Sequence, residues 1–179
     1  MQTILRIISA LFIGCILFFS SGYMDAETAA SNRVEKKIIK DVITKLKQER
    51  NLHFIALGGL VEGKIQAINL GFYLYEEISL AEARGLIVYV VDTLLSRIQE
   101  DPSVKPYFKT YPMTSKQVGV RIWVRKPDKT KVPVNQIDYI AESDEMITYQ
   151  TAQEAPEYSR VVLKESLSDA LLLSNRVKK

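Results

Sequence analysis

The chain has 179 residues and a nearly balanced charge, with 24 basic against 21 acidic residues and a formal net charge of +3. A balance so close to neutral argues against a nucleic-acid binder that works by bulk electrostatics, so we expect no nucleic-acid partner. Hydrophobic residues make up 47% of the chain, which is enough for one domain with an ordinary core.

Residues 1–22 have the order of a secretory signal peptide. Arg6 precedes an apolar run over residues 7–19, and the small residues Ser20, Ser21 and Gly22 follow. We expect cleavage near Gly22 and export to the periplasm or the medium. The alternative is an inner-membrane anchor formed by residues 7–19, although a bilayer-spanning helix needs roughly 20 residues. Membrane contact is thus expected at most through an uncleaved N-terminal segment.

Cleavage would also remove Cys15, the only cysteine. Lipid attachment at Cys15 is disfavoured because the bulky Phe12 precedes it. The mature chain then has no thiol chemistry and no disulfide, and it depends on its core for stability. Without Arg6 it keeps 23 basic residues against 21 acidic ones, a net charge of +2.

Two helices are predicted in the first half of the mature chain. After a leader over residues 23–32, predicted to be flexible, residues 33–50 have a helical apolar stripe with a basic flank that we interpret as solvated. Residues 79–100 form the central helix. Ser79 and Glu82 have the spacing of a capping box, and Asp101-Pro102 ends the helix because a residue before proline avoids the α region.

The remaining apolar runs alternate with period two and predict strands. The expected strands cover residues 53–57, 65–76, 118–126, 134–141, 146–151 and, as a short addition, 159–163. Glycines over residues 58–64 predict a hairpin turn between the first two strands. Residues 101–117 form a long connection that is either self-packed or functional. Ser166 and Asp169 begin a last helix, with Leu167, Ala170, Leu171 and Ser174 facing inward.

These elements predict one α+β domain over residues 33–179. Its sheet is mixed but mainly antiparallel, has about five strands, and packs on the central helix with the N- and C-terminal helices beside it.

Several short patterns resemble chemical sites but fit them poorly. Residues 58–64 match G-x-x-x-x-G-K, yet Ile65 stands where a phosphate-binding loop needs Ser or Thr, and a strand follows where a helix is required. His53 is the only histidine, so most nucleophilic and zinc sites are excluded. The acidic residues from Glu142 to Glu145 lack the spacing of a calcium loop and indicate a solvated turn. We therefore expect no catalytic residue, no metal and no cofactor.

Arg84 lies near the apolar stripe of the central helix and needs a partner. We expect either a structural ion pair, with Glu76, Glu77 or Asp138 as candidates, or snorkelling past the helix end. The alternative is an anion-binding arginine at the helix N-terminus.

Four short motifs stand in the middle of the chain: Gly58-Gly59, Glu82-Ala83-Arg84, Lys105-Pro106-Tyr107 and Tyr111-Pro112. Together they resemble an uncharacterised group of small exported bacterial α/β proteins. The resemblance covers most of the mature chain and implies a signal peptide followed by an α/β domain. It carries over no catalytic residue.

The aromatic residues of two predicted strands point to function. If the aliphatic sets of both strands face one helix layer, Tyr73, Tyr75, Arg121, Trp123 and Arg125 share the opposite face. These residue types supply much of the binding energy at protein interfaces. We therefore expect a non-catalytic binding module of the envelope or secreted fraction, with a protein, peptide or glycan partner. The alternatives are that the N-terminal helix covers these rings, or that the protein is a carboxylate-dependent hydrolase acting on an envelope substrate.

Overall fold

A computed structural model describes residues 25–154 and 159–177, so the predicted signal peptide and its cleavage site lie outside the described residues. The described chain forms an α+β fold, as predicted. Its elements are α1 (Ala26–Arg50), β1 (His53–Glu62), β2 (Lys64–Leu74), α2 (Leu80–Gln99), β3 (Val118–Val124), β4 (Ile137–Ser143), β5 (Met146–Ala152), β6 (Ser159–Ser166) and α3 (Leu167–Val177). None of the helices in these ranges is long and apolar enough to cross a membrane.

The sheet has six strands in the order β1-β2-β3-β4-β5-β6, one more than the approximate five that the sequence predicts. Only β2 and β3 pair in parallel, and the other neighbours are antiparallel. The parallel pair exists because α2 carries the chain back over the sheet between β2 and β3, which is the usual crossover for parallel strands. The sheet is therefore mixed and mainly antiparallel.

The first helix begins earlier than predicted. Asp25 caps α1 by accepting a hydrogen bond from the Thr28 backbone N–H at 2.7 Å, so residues 26–32 are helical and not a flexible leader. Two hydroxyl groups tie this first part of α1 to the β1–β2 turn. The Thr28 hydroxyl accepts from the Gly63 N–H at 2.9 Å, and Ser31 donates to the Gly63 carbonyl at 2.7 Å.

The turn between β1 and β2 is shorter than predicted. Gly58 and Gly59 lie inside β1 and pair with β2, and Gly63 alone separates the two strands. Gly63 has a φ of +64°, in the left-handed region that glycine adopts without strain. The glycines at 58 and 59 are thus part of a strand ladder and do not form a phosphate-binding loop.

The central helix has the predicted boundaries. Ser79 is the N-cap of α2, and both hydrogen bonds of its capping box with Glu82 are present. The buried side of α2 carries Ala83, Ile87, Val90, Val91, Thr93, Leu94 and Ile98. This side packs into the same core as the inward residues of the sheet.

The long connection after α2 is self-packed. It contains 3-10 helices over Pro102–Tyr107 and Ser115–Gln117, and it buries Val104, Phe108 and Met113. These side chains close one end of the core, so the connection has a structural role.

Candidate functional site

The three helices in the described ranges lie on one face of the sheet. Inward residues of β2 and β3, such as Phe72 and Ile122, are fully buried and belong to one core with the buried sides of α1 and α2. Because side chains alternate along a strand, Tyr73 and Trp123 point to the other face. The predicted alternative, in which the N-terminal helix covers these rings, does not describe this fold.

A row of three aromatic side chains crosses this second face. Tyr73 of β2 is in register with Trp123 of β3, which is in register with Tyr139 of β4. The ring centroids of Tyr73 and Trp123 are 6.1 Å apart, and those of Trp123 and Tyr139 are 5.4 Å apart. Both pairs are tilted, an arrangement that aromatic rings favour over a direct face-to-face stack. We call Tyr73, Trp123 and Tyr139 the aromatic row.

Two more rings extend the aromatic row toward the edge of the sheet. Tyr75 stacks on Tyr73 with centroids 5.8 Å apart, and the His53 ring meets the edge of Tyr75 at 4.7 Å. The Nε2 atom of His53 is 2.7 Å from the Lys47 ammonium. Partial burial and this positive charge lower the pKa of His53, which favours the neutral ring.

Gly71 provides space for the tryptophan. A Cβ atom at Gly71 would lie 3.4 Å from Cζ3 of Trp123 and 3.3 Å from the Cβ atom of Ala56. The tryptophan ring therefore leans over a position without a side chain. Next to Gly71 in the cross-strand register come Arg121, Ala141 and Thr148.

Basic side chains surround the aromatic row. Arg121 is exposed beside Gly71, and Lys164 is exposed farther along the same cross-strand register, opposite Thr148. The guanidinium of Arg125 lies 5.9 Å from the centre of the Tyr73 ring, within the range of a cation–π contact. We call the aromatic row together with Tyr75, Arg121, Arg125 and Lys164 the aromatic face.

The structure brings together five of the six residues that the sequence suggested for binding: Tyr73, Tyr75, Arg121, Trp123 and Arg125. Tyr139 and Lys164 were missed. Tyr139 lies in a predicted strand, whereas Lys164 lies one residue beyond the predicted strand over residues 159–163. The place of each on the face depends on pairing with a neighbouring strand, β3 with β4 for Tyr139 and β5 with β6 for Lys164. The signal that was available is the alternation of Tyr139 with the buried Ile140.

Arg84, the sixth residue, lies on the helix side of the sheet. Its Nε and Nη2 atoms donate to the two carboxylate oxygens of Glu165 at 2.8 and 3.1 Å, and the Tyr149 hydroxyl donates to the same carboxylate at 2.7 Å. The hydrogen bonding of Arg84 to Glu165 raises the pKa of Arg84. The guanidinium is therefore held inside the fold by Glu165, and not by Glu76, Glu77 or Asp138, and it is not free to bind an anion.

Glu142 is a buried acid on the helix side. It lies in β4 opposite the core residue Val120 and is only 1% exposed, so it does not belong to the solvated turn that the sequence predicted. The turn is limited to Asp144 and Glu145, both with positive φ. Burial raises the pKa of Glu142 to about 7. The hydrogen bond from the Glu145 N–H to Oε1 opposes this shift, and Oε2 has no partner among the described residues.

Comparison with family models, with curated proteins and with solved structures gave no match. The proposed function therefore rests on the geometry of the described residues.

A groove of about 780 Å³ lies on the helix side, between the end of α1, the first half of α2 and α3. Its acidic lining residues are Glu49, Glu76, Glu77, Glu82 and Asp92. Two of them already have structural partners, since Glu82 completes the α2 capping box and Glu49 accepts from the Tyr89 hydroxyl. The part of the chain that the structure describes contains no cluster of three or more His, Cys, Asp or Glu side chains placed to hold a metal ion.

Proposed function

We propose that the protein is a non-catalytic binding module and that the aromatic face binds an acidic surface of a partner protein. The observation that supports this most directly is the aromatic row itself. Three rings from three neighbouring strands lie in contact on the side of the sheet opposite the helices.

The composition of the face favours a protein partner. Trp, Tyr and Arg are the residue types most enriched among the positions that dominate binding energy, and they cluster at the centre of an interface. Here Tyr73, Trp123 and Tyr139 form a centre, and Arg121 and Lys164 lie beside it. An aromatic centre with a charged rim has the general anatomy of a protein interface.

The charges specify the complementary surface. Arg121, Arg125 and Lys164 all carry positive charge, and the pairing partners of the central rings contribute only Gln150 and Val161 beyond Tyr139. A partner with carboxylates around an apolar patch would gain association rate from this charge and specificity from the rings.

Photo-crosslinking in intact cells tests the proposal. A photoreactive phenylalanine at position 121, which is exposed, reports contacts at the aromatic face, and the same residue at the exposed position 45 of α1 is the control. We expect a discrete protein adduct from position 121 and none from position 45. Adding Trp123→Ala to the position 121 variant should abolish the adduct, because the central ring is lost.

The outcomes separate the possible partners. A position 121 adduct that persists with Trp123→Ala, or equal adducts from both positions, would contradict the proposed surface. Trp123 emission that shifts on titration with envelope glycan fragments, without any protein adduct, would replace the protein partner by a glycan. In the position 121 variant, Lys164→Glu should weaken crosslinking to a partner of acidic character, and unchanged crosslinking would argue against the charge complementarity.

We also propose that the protein is exported and works in the periplasm or outside the cell, with cleavage near Gly22. Arg6, the apolar run over residues 7–19 and the small residues after it support this placement. Intact mass of the protein from envelope and culture fractions tests it. A full-length species in the inner membrane would support the anchor instead.

A further inference from the structure

Among the described residues, the outer edge of β1 has no partner strand along its whole length. β1 runs for ten residues, from His53 to Glu62, and pairs on one side with β2. No strand of the described ranges pairs with its other side. A long unpaired edge presents backbone N–H and C=O groups that another strand can join.

Large apolar side chains are exposed on both faces of this edge strand. Phe54 and Leu57 pair with the core residues of β2 and therefore lie on the helix side, where they are 37% exposed. Ile55 and Leu60 are 42% and 50% exposed, and Ile55 lies beside Gly71, on the side of the aromatic face. One additional strand alongside β1 would cover both sets.

The two edges of the sheet differ in the protection they carry. Native edge strands usually bear charges or proline that discourage pairing. At the far edge, β6 exposes Val161 and Val162 but also carries Arg160, Lys164 and Glu165. β1 has no charged residue and no proline between His53 and Val61. Its open edge is therefore the one suited to pairing.

We propose that two copies of this chain form a dimer by antiparallel pairing of β1 with β1. The strand is complementary to itself in this orientation. Its uncharged, apolar middle meets the same middle of the second copy without repulsion between like charges. A closed two-fold dimer of this kind uses the same patch on both copies.

Opposite charges meet at the ends of the paired strands. Lys47 contacts His53 at the start of β1, and antiparallel pairing places this end beside Glu62 at the end of the other β1. Within the described residues of one copy, Glu62 has no ion-pair partner. Because the dimer is symmetric, the contact between Lys47 and Glu62 occurs twice. The two contacts favour pairing with a second copy over pairing with an unrelated strand.

The pairing would join the two sheets into one and keep both helix layers on the same side. Both aromatic faces would then lie on the opposite side, close to the dimer axis. This inference does not depend on the proposed function, since it rests on β1 and on Lys47 of α1.

Sedimentation velocity of the purified protein over a range of concentrations tests the inference. We expect a species of twice the chain mass that dissociates on dilution. Leu57→Lys should weaken the association by about 30-fold or more, because an unpaired charge would be buried at the interface. Val162→Lys on β6 is the matched control and should leave the dimer unchanged. A single-chain mass at every concentration would overturn the proposal.

Two further measurements decide the geometry. Glu62→Lys and Lys47→Glu should each weaken the dimer, and the two changes in one chain should restore it. A single cysteine at position 57 or 58, next to the two-fold axis and with Cys15 changed to Ser, should give disulfide-linked dimers, whereas Val162→Cys should not. A dimer that crosslinks only through position 162, or that is not restored by the charge exchange, would overturn the β1 pairing. Circular dichroism verifies that each variant is folded.

Discussion

Glu142 has surroundings that favour its protonated form. One carboxyl oxygen accepts a single backbone hydrogen bond, and the other is buried without a partner among the described residues. A buried charge without full compensation is costly, so the folded protein holds this proton more tightly than the unfolded chain does. The ordinary pKa of 4.5 rises to about 7.

The sign of the resulting pH dependence follows from proton binding. Between pH 4.5 and 7 the folded state binds more protons at Glu142 than the unfolded state, so its contribution to stability falls as pH rises and is constant above that range. Through this residue, we expect the free energy of unfolding to fall by up to about 3 kcal/mol across this pH range. Chemical denaturation at a series of pH values measures it.

Glu142→Gln is the matched variant, because it keeps the shape and removes the ionisation. We expect the variant to be more stable than the parent at pH 8 and to lack the decline. His53 acts in the opposite direction through its lowered pKa, and Glu35 acts in the same direction, so the difference between parent and variant isolates Glu142. Parallel pH profiles of the two proteins would mean that Glu142 is charged in the folded state.

The ion pair between Arg84 and Glu165 predicts a large effect from a single change. The two side chains are 16% and 9% exposed, and Tyr149 completes the network. Arg84→Leu would leave the Glu165 carboxylate without its cationic partner, so we expect a loss of about 3 kcal/mol. Equilibrium unfolding in denaturant gives the value.

Arg97 provides the control for Arg84. It pairs with Asp41 on the surface, and the two side chains are 21% and 46% exposed. Exposed pairs contribute little, so Arg97→Leu should cost less than about 1 kcal/mol. Equal losses of unfolding free energy in the two variants would show that the network around Glu165 stabilises the protein no more than the surface pair does.

At the scale of single elements, the N-terminus of α2 is fixed by its cap. The Ser79 hydroxyl accepts from the Glu82 N–H, and the Glu82 carboxylate accepts from the Ser79 N–H at 2.8 Å. We expect Ser79→Ala to destabilise the protein by about 1 kcal/mol. Ser96→Ala, within the same helix, should be neutral or slightly stabilising because alanine is the better helix former. Thermal unfolding distinguishes the two, and an equal effect at both positions would argue against the capping box.

Local signals predicted α2 and most strands, since caps, proline and alternation act over a few residues. Contacts between residues distant in the sequence account for the differences between the predicted and the observed elements. Residues 26–32 are polar and alanine-rich, and the bonds of Thr28 and Ser31 to Gly63 tie this stretch to a turn more than thirty residues away. The parallel pairing of β2 with β3 was implicit in their connection through α2, but tertiary packing decides which strand pairs with the side of β2 that β1 leaves open.

At the scale of the whole molecule, the aromatic face depends on local alternation along its strands and on the packing of the helices. Alternation along β2 and β3 separates Tyr73 and Trp123 from Phe72 and Ile122, and this was predictable. Which face the helices cover is set by the packing of α1 and α2 on one core. The register that adds Tyr139, and the partner of Arg84 on β6, depend on the order of strands in the sheet.

The one-sided helix layer predicts different costs for two neighbouring rings. Phe72 is fully buried on the helix side, while Trp123 is half-buried on the aromatic face one register position away. Phe72→Ala should cost about 3 to 5 kcal/mol through the cavity it leaves. Trp123→Ala removes ring contacts from a partly solvated surface, so we expect about 1 to 2 kcal/mol. Unfolding followed by circular dichroism compares them.

As the only tryptophan, Trp123 should also be quenched by acrylamide in the free parent protein. A blue-shifted, protected emission with a loss equal to that of Phe72→Ala would mean that the rings are core and that the aromatic face is not available to a partner.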